Sequence, residues 1–365
     1  MVPENNDFFY RTLISLGACG DLVRLIRHDG SDKHIIFEAA KTLCSLSQLE
    51  EGVARLQETE GAIYLLAHLL SSQGPNTAVY LTTILATLSE SESGQRALSN
   101  IPDLFGILTI HLWSLKEANV SNSLKILANV PTCFLGNAVL FTGDTISRLL
   151  TFLKEGVGET LVDALIVFES IAELEHGRKA IMEVPEIVPI LMKLMSSSEE
   201  VSIRHSTRVL AQLASFEGGI LEILKSPEIL QVLPPLLEHT DADIARNAIT
   251  LLHLLCTSEG YHQSVAKDRD TLQLVLQLLK SADIRTGSIA SAALSTLLFG
   301  DDTNSALHGQ IFSALIDILK DQLQQKVSSK GGIGPIRYSM KTLSQLNKRP
   351  GGHFGTNLLS SSFQR

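Results

Sequence analysis

Residues 61–70 form a short apolar segment that follows a turn glycine and ends in paired leucines: Gly61-Ala62-Ile63-Tyr64-Leu65-Leu66-Ala67-His68-Leu69-Leu70. Segments of this kind begin eight times along the chain, at Gly17, Gly61, Pro102, Gly143, Pro185, Pro227, Asp270 and Gly309. The successive spacings are 44, 41, 41, 42, 42, 43 and 39 residues. A period this constant is typical of a repeat protein built from one supersecondary unit.

A second helical segment follows each first one, and its most regular feature is a pair of apolar residues three positions apart. The pairs are Leu43 and Leu46, Leu85 and Leu88, Leu127 and Val130, Phe168 and Ile171, Leu210 and Leu213, Leu251 and Leu254, Leu294 and Leu297, and Leu343 and Leu346. Residues at this spacing share one helical face, which we expect to be buried. Typical N-cap residues precede this helix at Ser31 and Asp32, at Ser196 to Ser198, and at Thr240 and Asp241.

A third, shorter helix fits between the units, for example at Gly177-Arg178-Lys179-Ala180-Ile181. Each unit of about 42 residues is therefore predicted to contain three helices, which is in the range of armadillo and HEAT repeats. No segment shows the sustained alternation of a β-strand. The composition agrees, because 44% of the residues are hydrophobic and only 5% are aromatic. The predicted fold class is all-α.

These motifs resemble the armadillo repeat family. The resemblance rests on Gly61-Ala62-Ile63, on Ile126-Leu127-Ala128-Asn129-Val130 and on Val209-Leu210-Ala211-Gln212-Leu213-Ala214, and it covers about residues 5–350. HEAT repeats, with two helices per unit, are the main alternative, but the turn glycine and the repeat length favour armadillo. The resemblance implies a right-handed α-α superhelix, an armadillo-type solenoid of about eight three-helix repeats, over residues 1–352. Residues 353–365 are predicted to be a disordered C-terminal tail.

In armadillo proteins the last helix of each unit lines a concave groove, and importin-type members carry asparagine and tryptophan ladders there. The asparagine position maps here to Ser45, Thr87, Asn129, Ser170, Gln212, His253, Thr296 and Gln345. The tryptophan position maps to Lys41, Thr83, Lys125, Ile166, Arg208, Ile249, Ala292 and Lys341, so no tryptophan is present. We expect Asn129, Gln212 and His253 to contact a partner's main chain.

Basic residues outnumber acidic ones at the predicted groove positions. The basic set is Lys41, Lys125, Arg204, Arg208, Arg246, Arg337 and Lys341, and the acidic set is Glu38 and Asp163. Such a row of charge can attract an acidic extended peptide and hold its carboxylates. The alternative is that these long side chains only cover apolar helix surface while their charges stay in water.

Composition and motifs exclude several functional classes. The net charge of −9 differs from the basic balance of a dedicated nucleic-acid binder. No apolar run reaches the length of a membrane span, and no secretory signal is visible. The four scattered cysteines, Cys19, Cys44, Cys133 and Cys256, fit a cytoplasmic setting that could extend to the nucleus. Metalloprotease, nucleotide-loop and hydrolase-elbow motifs are all missing, so we expect no catalysis, metal or cofactor.

The sequence thus predicts a monomeric, non-catalytic scaffold or adaptor whose basic groove binds an acidic extended or helical segment of a partner protein. We expect neither nucleic acid nor a membrane as the partner. Two alternatives remain open. One is an importin-like nuclear transport adaptor, which lacks its ladders here. The other is an armadillo module of a larger scaffold.

Overall fold

The computed structural model describes residues 4–29, 32–130, 142–279, 281 and 283–299, together with the single residues 313 and 316. This part of the chain contains twenty helices and no strand, which confirms the all-α prediction. The helices fall into two compact units, Met1–Pro185 and Glu186–Arg365. The predicted eighth repeat and the predicted tail lie almost wholly outside the described residues.

Unit 1 contains twelve described helices, which form three sets of three, a fourth set with two described helices, and the first helix of the next set. They are α1 (Glu4–Ser15), α2 (Ala18–Asp29), α3 (Lys33–Leu46), α4 (Glu50–Glu58), α5 (Ala62–Leu69), α6 (Pro75–Ser89), α7 (Glu92–Ser99), α8 (Leu104–His111), α9 (Glu117–Asn129), α10 (Gly143–Glu155), α11 (Glu159–Ala172) and α12 (Glu175–Met182). The third helices of the sets are α3, α6, α9 and α11, and each packs against the next. The predicted short helix at residues 177–181 is confirmed as α12.

Unit 2 continues the same order of helices. They are α13 (Ile187–Met195), α14 (Glu200–Leu213), α15 (Glu217–Ile223), α16 (Ile229–Leu236), α17 (Ala242–Leu255), α18 (Glu259–Lys267), α19 (Arg269–Leu278) and α20 (Ile284–Phe299). Its third helices are α14, α17 and α20, which also pack side by side. Within the described ranges, no helix combines the length and the apolar character that crossing a bilayer requires.

The paired apolar residues of the third helices form the core, as the sequence predicted. Of the pairs in the described residues, every member is buried except Leu254, which is half-buried. Phe168 is the largest of the fully buried side chains. The last pair, Leu343 and Leu346, lies outside the described residues. Burying one such side chain contributes about 1.5–3 kcal/mol, so the periodic pairs supply much of the driving force for stacking.

We call the short helix that opens each set, such as α4, α7, α12 and α15, its first helix. Glycines in these first helices set how closely consecutive repeats approach. Gly52, Gly94, Gly177 and Gly219 occupy the same position, the third residue of α4, α7, α12 and α15. At each of them an added Cβ would overlap the backbone carbonyl at the end of the preceding third helix. The first helix therefore crosses that carbonyl with backbone alone, which only glycine permits.

The loops only partly follow the predicted cap chemistry. Asp32 accepts from the backbone N–H of His34, and Asp241 accepts from those of Asp243 and Ile244, so both predicted caps are confirmed. The serine cap predicted at residues 196–198 is wrong. The N-cap of α14 is Glu199, whose side chain makes no cap bond. The hydroxyl of Ser197 accepts from the backbone N–H of Glu199, which lies before the helix.

Candidate partner-binding face on the third helices

One polar residue recurs at the same position near the end of each described third helix, and we call this set the polar row. Its members are Ser45, Thr87, Asn129 and Ser170 in unit 1, and Gln212, His253 and Thr296 in unit 2. Every one of them is half-buried. The hydroxyls of Ser45, Thr87 and Thr296 donate to carbonyls of their own helices, and their oxygens can still accept a hydrogen bond from a ligand's main chain.

In unit 1, neutral side chains tie neighbouring third helices together. The amide of Asn122 donates to the hydroxyl of Thr83 at 2.9 Å and to that of Thr82 at 3.2 Å. The buried Asn119 accepts from Thr82 at 3.2 Å. Asn129, the predicted main-chain contact, donates one amide N–H to Ser89 at 3.0 Å. No described residue bonds to the amide oxygen or the second N–H of Asn129, and a ligand's main chain could pair with both.

Lys125 lies in a mixed-charge cluster of unit 1. Its ammonium is paired with Glu90 at 2.5 Å across the repeat boundary, and this hydrogen bond raises the pKa of Lys125. Burial raises the pKa of Asp163 to about 6, while the charge of Lys125 opposes that rise and Glu159 adds to it. One lysine therefore faces several carboxylates, and it is not an isolated positive charge.

In unit 2, ion pairs tie the third helices together. The guanidinium of Arg204 on α14 binds the carboxylate of Asp241, the N-cap of α17. One repeat later, Arg246 on α17 contacts Asp283, just before α20, at 3.4 Å and also pairs with Asp243. The two arginines are 42 residues apart, and so are the carboxylates of Asp241 and Asp283. The same inter-repeat clasp is thus built twice.

The carboxylates of these clasps are held in their ionised form. The pKa of Asp283 is lowered to about 2, first by the hydroxyl of Thr286 and then by backbone N–H groups and Arg246. Partial burial raises the pKa of Asp241, but the hydrogen bonds from Arg204 and two backbone N–H groups lower it on balance. Both carboxylates therefore stay charged at neutral pH and serve as caps and ion-pair partners at once.

The remaining predicted groove residues differ in their surroundings. Lys41 is exposed, with its ammonium 3.9 Å from the carboxylate of Glu38. Arg208 is also exposed. In unit 2, the side-chain oxygen of Gln212 is buried and has no hydrogen-bond partner among the described residues, and the ring of His253 lies 3.3 Å from the hydroxyl of Thr296. Burial lowers the pKa of His253, which favours the neutral ring. Arg337 and Lys341 lie outside the described residues.

No cluster of three or more histidine, cysteine or acidic side chains occurs at metal-binding distance in the part of the chain that the structure describes. Cys44, next to the polar row, has its pKa raised to about 11 by burial. A thiol with so high a pKa is a poor nucleophile at neutral pH.

The sequence-based choice of site residues missed the acidic half of each clasp. Asp241 and Asp283 precede the third helices and do not lie on the groove positions, so a count of charges along one helix face leaves them out. A signal was present, because both the arginines and the aspartates recur with the repeat period. Asn119 and Asn122 were missed as well, since their partners become apparent only once the third helices are packed.

Solved structures with a similar fold include engineered and designed repeat proteins. An engineered protein from the Northeast Structural Genomics Consortium is 20% identical, with a TM-score of 0.70 over 94% of this chain and 81% of that chain. A second engineered protein from the consortium is 21% identical, with a TM-score of 0.52 over 65% of this chain and 97% of that chain. A designed armadillo repeat protein is 18% identical, with a TM-score of 0.51 over 65% of this chain and 99% of that chain.

No protein-family model matches the sequence. No curated protein matches it significantly. At the identities of the structural neighbours, the likeness concerns the fold alone. The chain has an armadillo-like repeat fold, as the sequence motifs predicted. Folds of this kind generally present extended surfaces for binding other proteins.

Proposed function

We propose that the chain is a non-catalytic protein-binding scaffold that holds an extended or helical segment of a partner on its third helices. The polar row carries this proposal, because a half-buried hydrogen-bonding group recurs at one position in all seven described third helices. A ligand's main chain offers donors and acceptors at regular intervals, and a regular row of side chains can pair with them.

The proposed ligand is an acidic segment, and exposed basic side chains on the same helices support this choice. Lys41 and Arg208 are exposed on these helices, and Arg204 and Arg246 take part in the clasps. The clasps then position the helices, while the exposed charges attract the ligand. Because these charges are solvated, the proposed binding weakens as salt rises. Under this proposal, the chain acts as a monomer in the cytoplasm or nucleus, and its ligand is neither nucleic acid nor a membrane.

The test is quantitative capture of proteins from a cell extract by the full chain and by a variant with Lys125→Glu and Arg208→Glu. We expect a subset of partners to bind the wild type and to be lost from the variant. The same subset should be lost from the wild type as salt is raised, because opposite charges would hold it. Each partner that is lost should contain an acidic segment.

A matched control carries Arg96→Glu and Lys193→Glu, which make the same change in net charge on exposed residues of α7 and α13. Its partners should equal those of the wild type. A neutral variant, Lys125→Gln with Arg208→Gln, removes the positive charges without adding another carboxylate to those that already surround position 125. If every partner bound all four proteins equally well, the acidic-ligand proposal would be wrong.

A further inference from the structure

Two loops at one edge of unit 1 expose large apolar side chains. The loop between α8 and α9 carries Trp113 and Leu115, which are 59% and 102% exposed, and the loop between α10 and α11 carries Val157, which is 82% exposed. The equivalent loops of two other repeats read Ser-Ser-Gln-Gly at residues 71–74 and Ser-Ser-Ser-Glu at residues 196–199. Clustered exposed apolar residues mark interaction sites in soluble proteins.

These loops border a cavity of about 420 Å³, which we call the Trp113 pocket because Trp113 contacts Arg148 of its wall, although Trp113 itself does not line it. Leu115, Val120, Phe152 and Val157 give it an apolar lining, and Arg148, Glu117 and Glu155 bring charge to it. The volume lies within the range of ligand pockets and accommodates one or two amino-acid side chains. None of these residues belongs to the polar row, so the pocket is separate from the proposed ligand face.

The pocket wall is fixed before any ligand arrives. The guanidinium of Arg148 lies 5.1 Å from the ring centre of Trp113 and 4.6 Å from that of Phe152. Its Nε also donates to the carbonyl of Leu112 at 2.9 Å. Stacked on two rings and tied to the backbone, Arg148 holds Trp113 in place. A wall ordered in advance reduces the entropy that binding would cost.

The unpaired charge at the pocket is negative. Glu117 and Glu155 are exposed and make no ion pair with a described side chain, whereas Arg148 is occupied by the rings and the Leu112 carbonyl. Glu155 also ends α10, where the helix dipole is negative. The cavity has both polar and apolar walls, and the carboxylates at its mouth favour a cation, which is the opposite of the chemistry proposed for the third helices.

We propose that the Trp113 pocket binds a short segment of a partner protein by inserting one aliphatic side chain, with a lysine or arginine beside it facing Glu117 and Glu155. The aliphatic group replaces water against Leu115, Val157 and Phe152. The neighbouring cation meets the two carboxylates at the mouth. The exposed side chains of Leu115 and Val157 beside this cavity give an inserted aliphatic group apolar surface to cover.

The test is selection of a displayed library of random twelve-residue peptides against the full chain, followed by titration of the selected peptides. Trp113 is the only tryptophan in the chain and contacts Arg148 of the pocket wall, so its fluorescence follows changes at that wall. We expect the enriched peptides to share a Leu, Ile or Met within three positions of a Lys or Arg. These peptides should change the Trp113 emission, and Leu115→Ser or Val157→Ser should weaken their binding about tenfold or more.

Matched controls use residues outside the pocket. Leu221→Ser removes an exposed leucine of α15, and Glu217→Gln alters the first residue of α15 as Glu117→Gln alters that of α9. Both controls should bind as the wild type does, while Glu117→Gln weakens binding. The proposal is overturned by the absence of enrichment, by an enriched motif without the aliphatic-basic pair, or by equal binding to the Leu115→Ser variant. It is also overturned if the chain self-associates through this patch, seen as concentration-dependent sedimentation that Leu115→Ser removes.

Discussion

Unit 1 and unit 2 use the same stack of third helices but join them by different chemistry. In unit 1, most ties are neutral, such as the bonds from Asn122 to Thr83 and from Asn129 to Ser89. In unit 2, the Arg204–Asp241 and Arg246–Asp283 ion pairs are added to the neutral bonds that Asn247 and His253 make to neighbouring third helices. The Lys125–Glu90 pair of unit 1 is charged as well, but it is more exposed than the Arg204–Asp241 pair.

This difference indicates that the repeat backbone does not determine which side-chain bonds join consecutive repeats. A third helix presents the same positions to its neighbour in each repeat, and those positions accept either amide and hydroxyl pairs or arginine and aspartate pairs. The consequences differ with solution conditions, because ion pairs respond to salt and pH while neutral hydrogen bonds hardly do. The two units should therefore share their response to backbone damage and differ in their response to salt and pH.

The largest expected effect comes from the first-helix glycines, which both units use in the same way. Gly94→Ala in unit 1 and Gly219→Ala in unit 2 should each lower the free energy of unfolding by about 3 kcal/mol, because the new Cβ overlaps a helix carbonyl. Urea unfolding followed by circular dichroism measures this. The control is Gly106→Ala within α8, where nothing lies within 4 Å and the change should stabilise by about 0.5–1 kcal/mol. A tolerated Gly219→Ala beside a damaging Gly94→Ala would show that the units differ in backbone as well.

The next effect separates the two kinds of tie. Asn119→Ala removes bonds to Thr82 and to the carbonyl of Pro75, and Asp241→Ala removes a helix cap and the partner of Arg204. Each should cost about 2 kcal/mol at low salt. Between about 0.05 M and 1 M NaCl, the cost of Asp241→Ala should fall, while that of Asn119→Ala stays constant. Equal salt dependence of the two variants would contradict the distinction drawn between the units.

The periodic features of this chain could be predicted from its sequence because periodicity is a local property. Pairs such as Leu210 and Leu213 identified the buried face, and the constant spacing identified the repeat. The charge of the third-helix face could not be predicted in the same way. Arg204 finds Asp241 only because consecutive third helices pack with a particular offset, and that offset depends on tertiary contacts.

The first-helix glycines show a different limit. Gly52 and Gly94 recur with a spacing of 42 residues and each follows the glutamate at the start of its helix by two positions, so their signal was present in the sequence. Its meaning, a close crossing of a helix carbonyl, required the coordinates. The Trp113 pocket could not be predicted from the sequence either, because Leu115 and Val157 belong to loops more than 40 residues apart in the chain.

A third prediction concerns pH. The pKa of Asp163 in unit 1 is raised and that of Asp283 in unit 2 is lowered, so their contributions to stability should change with pH in opposite directions. The pKa of Asp163 is about 6 in the folded chain, above the value of about 3.9 for an unfolded aspartate. Its ionisation above pH 6 therefore opposes folding. Asp163→Asn should stabilise the protein by about 1 kcal/mol at pH 7.5, allowing for solvent screening of a half-buried group, and by nothing near pH 4.

Asp283 in unit 2 provides the opposite case. Its pKa is about 2 in the folded chain, so its ionised form stabilises the fold fully above about pH 4 and loses that effect as the pH falls toward 2. Asp283→Asn should therefore destabilise the protein at pH 7 and have little effect at pH 2. Thermal unfolding across this pH range measures both variants. Parallel pH profiles for the two substitutions would refute the assignment of opposite roles.

The smallest expected effect concerns the charged tie of unit 1. The side chains of Lys125 and Glu90 are 35% and 54% exposed, against 32% and 16% for Arg204 and Asp241. Because water competes for exposed charges, a double-mutant cycle with Lys125→Gln and Glu90→Gln should give a coupling of at most about 0.5 kcal/mol. The cycle for Arg204→Gln and Asp241→Asn should give a larger coupling of about 1–2 kcal/mol, because the bond is charge-assisted and better shielded. If the two couplings were equal, shielding would not account for the contrast between the units. The number of ties per repeat would then matter more than their chemistry.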